Sequence, residues 1–592
     1  MLQPLVSYAR GHGLVTEPGF APKTVRWALV CDSQGKFLEV LDLADDPKSP
    51  GRTFPRCPEL SQPEIKRGGP GCRHFLIDSA DVVALLADGD LDAKLLAKHT
   101  YFTRLLRQAA EALPVLAGVA DTLDSPESLA EIQAGLRARK AKPNDKVTFS
   151  ILGASPAYPV DSDVWHDWWR RFRKALGEEK PGKPASRETA AARVRCLASG
   201  ELVEPVPTHP KIAGLSDVGG LPMGDALASF KQESFCSYGL VQSANAPVSE
   251  KIAAEYRAAL NHLIKETGRR LAGAKVVHWF KDRIPREEDP FDLLIDESTE
   301  EADAQRRARD LLTAIESGRR PDLLDNRYYA LTLSGASGRV MVRDWMEGEF
   351  RELVRNVDRW FADLAIANRN GIGLAPPPRM ISILAALVRD LDNLPPALEA
   401  RMWHAAVRKE PIPQQAMARA LARLKVDVLG NQPFNHARVG LLKAFHIRKG
   451  DHLMEPHLNE SHPDPAYHCG RLMAMLAALQ YRALGDVGAG VVQRYYAAAS
   501  TTPALVLGRL VRTAQFHLDK LDRGLARWHE GRIADVFGRI RQDIPPTLSL
   551  ERQSLFALGY YQQIAFDRSR TKTADVAEAP ETSSDAQETG HE

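Results

Sequence analysis

From Glu349 to Arg570 the chain is written almost entirely in helical periodicity, interrupted at Pro376-Pro377-Pro378, and this commits its C-terminal part to a bundle of helices. The most regular run begins at Pro503, a residue suited to the first turn of a helix. Leu507, Val511, Ala514, Leu518, Leu521 and Leu525 follow at steps of four and three, which is the seam of a helix packed along one face. Away from that seam stand Arg509, Arg512, Lys520, Arg523 and Arg527. Between Val491 and Arg570 twelve Arg and Lys oppose seven Asp and Glu, a local excess that suits a polynucleotide backbone if the cations share a face. A solvated helix face has the same signature.

The N-terminal part changes period. Thr24 to Leu43 alternates apolar and polar around Val25, Trp27, Leu29 and Cys31, breaks at Asp32-Ser33-Gln34-Gly35 and resumes, which predicts a β-hairpin. Lys146 to Leu152 reads as a strand, and Tyr328 to Val342 as a second hairpin about Ser334 to Gly338. In a helix predicted over Asp163 to Leu176, Trp165, Trp168, Trp169 and Phe172 fall on one face, and this spacing predicts a buried aromatic stripe with a basic back. Ser249 is the expected N-cap of a helix to Lys265, and Asp282 to Asp310 reads as a charged, solvent-exposed insertion entering a helix.

One stretch combines cations with backbone freedom. Glu64 to Phe75 reads Glu-Ile-Lys-Arg-Gly-Gly-Pro-Gly-Cys-Arg-His-Phe. Glycines at 68, 69 and 71 permit close approach of main chain to a nucleic acid, while Lys66, Arg67 and Arg73 supply phosphate-seeking charge. The same composition also describes an ordinary surface turn.

Net charge is only +2 over 592 residues, so any polyanion surface has to be a local patch. The six cysteines are scattered without a C-x-x-C pair, as expected of reduced thiols. No 18-residue uncharged apolar run and no signal-like N-terminus is present, from which a cytoplasmic protein that does not span a membrane is expected. Walker, G-x-S-x-G and G-x-G-x-x-G signatures are missing. His446 to Cys469 gathers His446, His452, His457, Glu460, His462, His468 and Cys469, which raises a metal-dependent nuclease as an alternative. Its spacing matches neither H-E-x-x-H nor a zinc finger, so no metal, cofactor or catalytic residue is assigned. A protein-binding scaffold without DNA contact is a further alternative. The expected fold is multidomain α+β: a mixed β-hairpin and helical N-terminal region followed by an all-helical C-terminal bundle. Its parts are placed at 1–150, 151–348, 349–470 and 471–570, with a disordered acidic tail at 571–592.

Several segments in order resemble the large subunit of the type I-C CRISPR Cascade surveillance complex. They are Cys196-Leu-Ala-Ser-Gly-Glu201, His209-Pro-Lys-Ile212, Ser229-Phe230, Ser237-Tyr-Gly239, Asn245-Ala-Pro-Val-Ser249 and Ala259-Leu-Asn261. Further along come Leu331 to Ser334, Arg339 to Arg343 with Trp345, Ala466-Tyr467, Gly470-Arg-Leu472, Gln480 and Phe556 to Gln563. The resemblance implies a non-catalytic subunit without cofactor that recognises the protospacer-adjacent motif (PAM) in duplex DNA, promotes R-loop formation and helps recruit the helicase-nuclease. Implied partners are the crRNA-bound backbone and handle-binding subunits, double-stranded target DNA and its displaced strand. A small subunit made from the chain's own C-terminal region is implied too, with Met473, Met475, Val491 or Val492 as starts. The basic glycine stretch, Lys66, Arg67, Gly68, Gly69 and Arg73, would then be the PAM-reading loop, and Arg509, Arg512, Lys520, Arg523 and Arg527 a DNA-backbone surface of the small-subunit-like bundle.

Overall fold

The structure, a computed structural model, describes the chain except residues 15–16, 47–48, 88, 178–192, 207, 231, 236–237, 239, 241, 272, 296–300, 541–543 and 578–592. The fold is α+β, with many helices, mixed sheets and a helical C-terminal region. It divides into two compact units, Met1–Glu266 with Gly335–Met341, and Thr267–Ser334 with Val342–Glu592. The boundary expected at 150/151 falls inside the strand Lys146–Ile151.

In the first unit a four-stranded sheet runs Phe37–Asp42, Trp27–Cys31, Lys146–Ile151, Asp78–Ser79. Trp27–Cys31 pairs antiparallel with Phe37–Asp42, so the first hairpin is present. Its turn is held by Asp32, whose Oδ1 accepts from the Gln34 and Lys36 amides at 2.9 Å each. On the other side Trp27–Cys31 lies parallel to Lys146–Ile151, in register from Trp27↔Val147 to Cys31↔Ile151. The aromatic stripe is buried, with Trp165 and Trp169 wholly enclosed; the helix itself begins at His166. Each indole keeps its N–H satisfied: Trp165 donates to Pro159 O at 2.9 Å and Trp169 to Gly19 O at 2.7 Å. Ser249 caps the helix Glu250–Glu266 through Ile252 N at 3.2 Å.

The second unit carries the strands Arg269–Leu271, Ala274–Phe280 and the hairpin Arg327–Ala336 with Arg339–Glu349. The hairpin's tip belongs to the first unit, where Ala226 pairs in parallel with Arg339. The stretch Asp282 to Asp310, expected as an exposed insertion, is not one. Phe291 and Leu294 on the helix Pro290–Ile295, and Ala304 and Ala308 on Glu301–Glu316, are enclosed in the hydrophobic core. Apolar residues spaced among the charges account for this, because on a helix they collect on one face.

Among the described residues ten α-helices follow, from Phe350–Leu364 to Leu550–Ala577. The regular run after Pro503 is two helices, Pro503–Leu518 and Arg523–Ile540, not one. Asp522 ends the first pattern and starts the second, its Oδ1 accepting from Leu525 N at 2.9 Å. The buried seam on the first of these is Val506, Leu507, Leu510, Ala514 and Leu518, with Val511 only half-buried. The last helix continues past Arg570 to Ala577, and the rest of the expected tail, 578–592, lies outside the described residues.

Candidate nucleic-acid interface

The stretch expected to be a glycine loop opens with a short helix, Gln62–Arg67. Ser61 and Glu64 build its start: Glu64 Oε2 accepts from Ser61 N at 2.6 Å and from Ser61 Oγ at 2.7 Å. The other Glu64 oxygen meets Arg173 Nε at 2.8 Å, tying the helix to His166–Gly177. Lys66 and Arg67 therefore sit on the last helical turn, where cations complement the carbonyl end of the dipole. Both are exposed, and neither forms an ion pair among the described residues.

The glycines have separate reasons. At Gly68 a Cβ would overlap Cys72 Sγ, so its bare side faces the protein and is not offered to a ligand, contrary to the expectation. Gly69, with φ of +81°, has open space where a Cβ would stand. Gly71 lies against Ala97 O of the helix Ala93–Ala109. Next to it Cys72 Sγ donates to Tyr101 Oη at 3.3 Å, and the Arg104 guanidinium lies 4.6 Å from the centre of the Tyr101 ring. Burial and the Cys72 contact push the Tyr101 hydroxyl well above its ordinary pKa, so it stays protonated. Arg73 is half-buried and turns back on its own chain, Nη1 donating to Cys72 O at 3.3 Å. The stretch ends at Phe75, whose ring lies 5.1 to 5.2 Å from Trp165, Trp168 and Trp169.

The geometry thus brings Lys66, Arg67 and open Gly69 to one exposed turn and sets Lys98 and Arg104 on the helix that supports it. Sequence reasoning missed Lys98 and Arg104. Their signal was the spacing Lys94, Lys98, Tyr101, Arg104, a single face of the helix, but nothing local pointed that face at Gly71.

Lys66 also stands on the wall of a cavity of about 760 Å³ in the first unit. Four cations, Lys66, Arg173, Lys211 and Arg257, face two carboxylates, Glu59 and Glu250, around it. Arg173 is held by Glu64 and Glu250, and Glu59 lies 3.2 Å from Lys23 and 3.6 Å from Arg257. Burial alone raises the Glu59 pKa, but the charges of Lys23, His74 and Arg257 outweigh it and hold the group below the usual carboxylate range. Lys66 and Lys211 are left with no carboxylate partner among the described residues. His209, also in the cavity's lining, is fixed by Tyr256 Oη at 2.8 Å and Ala246 O at 2.9 Å.

The C-terminal cations lie in the second unit. Arg509 and Arg512 are on Pro503–Leu518, Lys520 is in the turn, and Arg523 and Arg527 are on the next helix; all five are exposed and none forms an ion pair among the described residues. Leu505 and Phe516 are exposed beside Arg509 and Arg512, spaced to form one stripe along the helix.

His446 to Cys469 is not gathered as one ligand set among the described residues. The His446 Nε2 bonds Ser554 Oγ at 2.6 Å, His462 Nε2 lies 3.2 Å from Asp451 Oδ2, and His468 Nε2 donates to His462 O at 2.6 Å. Burial lowers the His446 and His468 pKa values to about 4 and raises the Cys469 thiol to about 12. Elsewhere His278, Asp289 and Asp292 approach one another closely enough for a metal. Most of their donors are engaged: His278 Nε2 with Asp289 at 2.6 Å, Asp289 Oδ1 with Phe291 N at 2.9 Å, and Asp292 with Arg286 at 3.1 Å, whereas His278 Nδ1 has no hydrogen-bond partner among the described residues.

Within each unit several of the segments that carried the resemblance meet in space. In the first unit Leu197 N donates to Pro247 O at 2.9 Å and Ala213 N to Asn261 Oδ1 at 2.9 Å, while His209, Pro210, Lys211, Ser229 and Phe230 line the cavity; Ser237 and Gly239 lie outside the described residues. In the second, Tyr467 Oη donates to Gln562 Oε1 at 2.5 Å and Arg471 Nε to Gln563 Oε1 at 3.0 Å. A comparison with protein families returns the class: a CRISPR-associated protein, described as CRISPR-associated protein (Cas_Csd1), whose model matches residues 6–566. That match covers nearly the whole chain, and the chain belongs to the Cas_Csd1 family of CRISPR-associated proteins. No curated protein matches it. Among the described residues no helix is long and apolar enough to cross a membrane.

Proposed function

We propose that the chain is the non-catalytic large subunit of a type I-C Cascade effector complex and that it reads the protospacer-adjacent motif in duplex DNA. The observation that carries the reading is the exposed turn at Gly69, where Lys66 and Arg67 have no ion-pair partner among the described residues and the main chain is open to approach. Phosphate contacts position a protein on duplex DNA, and a bare backbone next to them allows base edges to be reached. Lys98 and Arg104, on the supporting helix, extend the positive surface. In this reading motif binding starts R-loop formation, the exposed cations from Arg509 to Arg527 hold DNA backbone, and the assembled surface receives the helicase-nuclease. Backbone and handle-binding subunits carrying the crRNA are the partners.

A small subunit translated from within the same message belongs to the reading. Val491 is the first residue of the helix Val491–Ala499, whereas Met473 and Met475 lie within Pro465–Leu484. A start at Val491 therefore keeps that helix whole, and one at Val492 removes only its first residue. Binding of a motif-bearing duplex by variants at Lys66 and Arg67, across a salt titration, tests the reading.

A further inference from the structure

We infer that the 760 Å³ cavity walled by Lys66, Lys211 and Phe230 takes one unpaired nucleotide of single-stranded DNA, phosphate against the lysines and base against the phenylalanine. The inference rests on the proposed DNA-reading role and names a different ligand state for the neighbouring site.

Size comes first. A cavity of this volume is in the range of small-ligand sites, larger than an inorganic anion needs and far too small for a double helix about 20 Å across. Only a nucleotide that has left its stack enters.

Charge comes second. Arg173 and Arg257 are committed to Glu64, Glu250 and Glu59 and make a fixed, nearly neutral floor. Lys66 and Lys211 are both exposed and without a carboxylate partner among the described residues, so the excess positive charge is at the mouth. A single phosphodiester between them offsets one of the two positive charges without placing a second anion on Glu59 or Glu250.

The third element is the face for a base. Phe20, the other phenylalanine in the lining, is buried and already engaged, with Trp165 at 5.6 Å, His166 at 4.8 Å and the Arg56 guanidinium at 5.0 Å, and the third ring there, His209, is held by Tyr256 and Ala246. Phe230 is half-buried and has no ring partner among the described residues. Thr208, Ser229 and Gln242 are exposed around it and carry hydrogen-bonding groups for a base edge. Cations beside a free aromatic face are what sequence-tolerant single-strand binding uses. Lys66 belongs to both the cavity wall and the exposed Gly69 turn, so a strand parted at the turn has its first free nucleotide within reach of the cavity.

The test uses the full chain and a fluorescein-labelled dT hexamer, read by anisotropy, with a hexamer of abasic sites and a hexaglutamate peptide as probes of the ligand class. Lys211→Ala and Phe230→Ala are each expected to weaken dT-hexamer binding by about tenfold, Lys211→Arg to restore most of it, and the abasic strand to bind wild type as poorly as dT binds Phe230→Ala. Unchanged thermal unfolding of the variants shows that they are folded. Wild type that does not bind the dT hexamer, variants that bind it normally, or hexaglutamate and abasic strand that compete as well as dT each overturn the proposal. Arg67→Ala and Arg104→Ala, assayed on intact duplex, report on the motif-reading role separately. Normal duplex binding by those two with a weakened single strand in the cavity variants rejects the role and keeps the cavity.

Discussion

Gly470 and Gly559 face each other's helix where Pro465–Leu484 crosses Leu550–Ala577: a Cβ on Gly470 would overlap Phe556 O, and one on Gly559 would overlap Tyr467 O. The absent side chains let two backbones touch, and the touching brings Tyr467 to Gln562 and Arg471 to Gln563. Either Gly→Ala change has to separate the helices or bend them. Each is expected to cost about 1–3 kcal/mol, as overpacking of a filled core does. Urea unfolding of the full chain measures it, and an unchanged midpoint for both variants would mean that the two backbones do not touch at this crossing.

At the proposed interface, Lys66→Ala and Arg67→Ala are each expected to weaken binding of a motif-bearing duplex by about 1–3 kcal/mol. If Lys66 meets phosphate, its removal also lowers the salt dependence by about one counterion. Gly69→Val tests close approach without touching charge. Its φ of +81° strains any β-branched residue, so the variant is compared with Gly69→Ala for folding as well as for DNA binding. Normal duplex affinity in all four across a salt titration removes the turn from the interface.

Local periodicity explains what was legible. The stripe from Trp165 to Phe172, the two hairpins, and the starts at Ser249 and Pro503 each depend on neighbours within a turn or two, and each is in the structure. The Gly stretch was legible in composition only. What Gly68 and Gly71 do depends on Cys72 and on Ala97, and the second of these is 26 positions away. Lys98 and Arg104 escaped for the same reason, since a helix face acquires meaning from what it is packed beside. The break at Asp522 was written locally and was overridden by an apolar pattern that continued across it through Leu521 and Leu525. Contacts between the distant segments around Tyr467 and Gln562 had no local trace at all.

A buried ion pair organises the helices around Asp363. Its Oδ2 meets Arg448 Nε at 2.8 Å, both side chains being 3% exposed, and Arg359 Nε stands 3.3 Å from Oδ1. Arg448 also donates to Glu410 O at 3.0 Å and to Ala405 O. Asp363→Ala leaves the Arg448 guanidinium buried and uncompensated. It is expected to cost about 3–5 kcal/mol in denaturant unfolding, while Asp363→Ala with Arg448→Met recovers part of that loss. A single variant as stable as wild type would show that the guanidinium escapes to water.

Two kinds of buried group set opposite pH trends. His446, packed by burial and bonded through Nε2 to Ser554 Oγ, whose own proton goes to Glu551 O, is held as the neutral imidazole with its pKa lowered to about 4. An unfolded chain takes up that proton near pH 6.5, so the stability this group supplies is complete above pH 6.5 and is lost as the pH falls toward 4, by up to about 3 kcal/mol. His468, also lowered to about 4, acts in the same direction. Glu399 does the reverse. Burial raises its pKa to about 8, and neither carboxyl oxygen has a hydrogen-bond partner among the described residues. The folded form keeps the proton that the unfolded chain releases near pH 4.5, so its contribution is complete below pH 4.5 and is lost as the pH climbs to 8. Glu399→Gln is therefore expected to flatten the decline between pH 5 and 8 and to leave the acid limb in place, whereas His446→Gln flattens the acid limb alone. Urea midpoints measured from pH 4.5 to 8.5 separate the two, and a Glu399→Gln curve parallel to wild type across that range would show that the carboxyl is ionised in the folded protein.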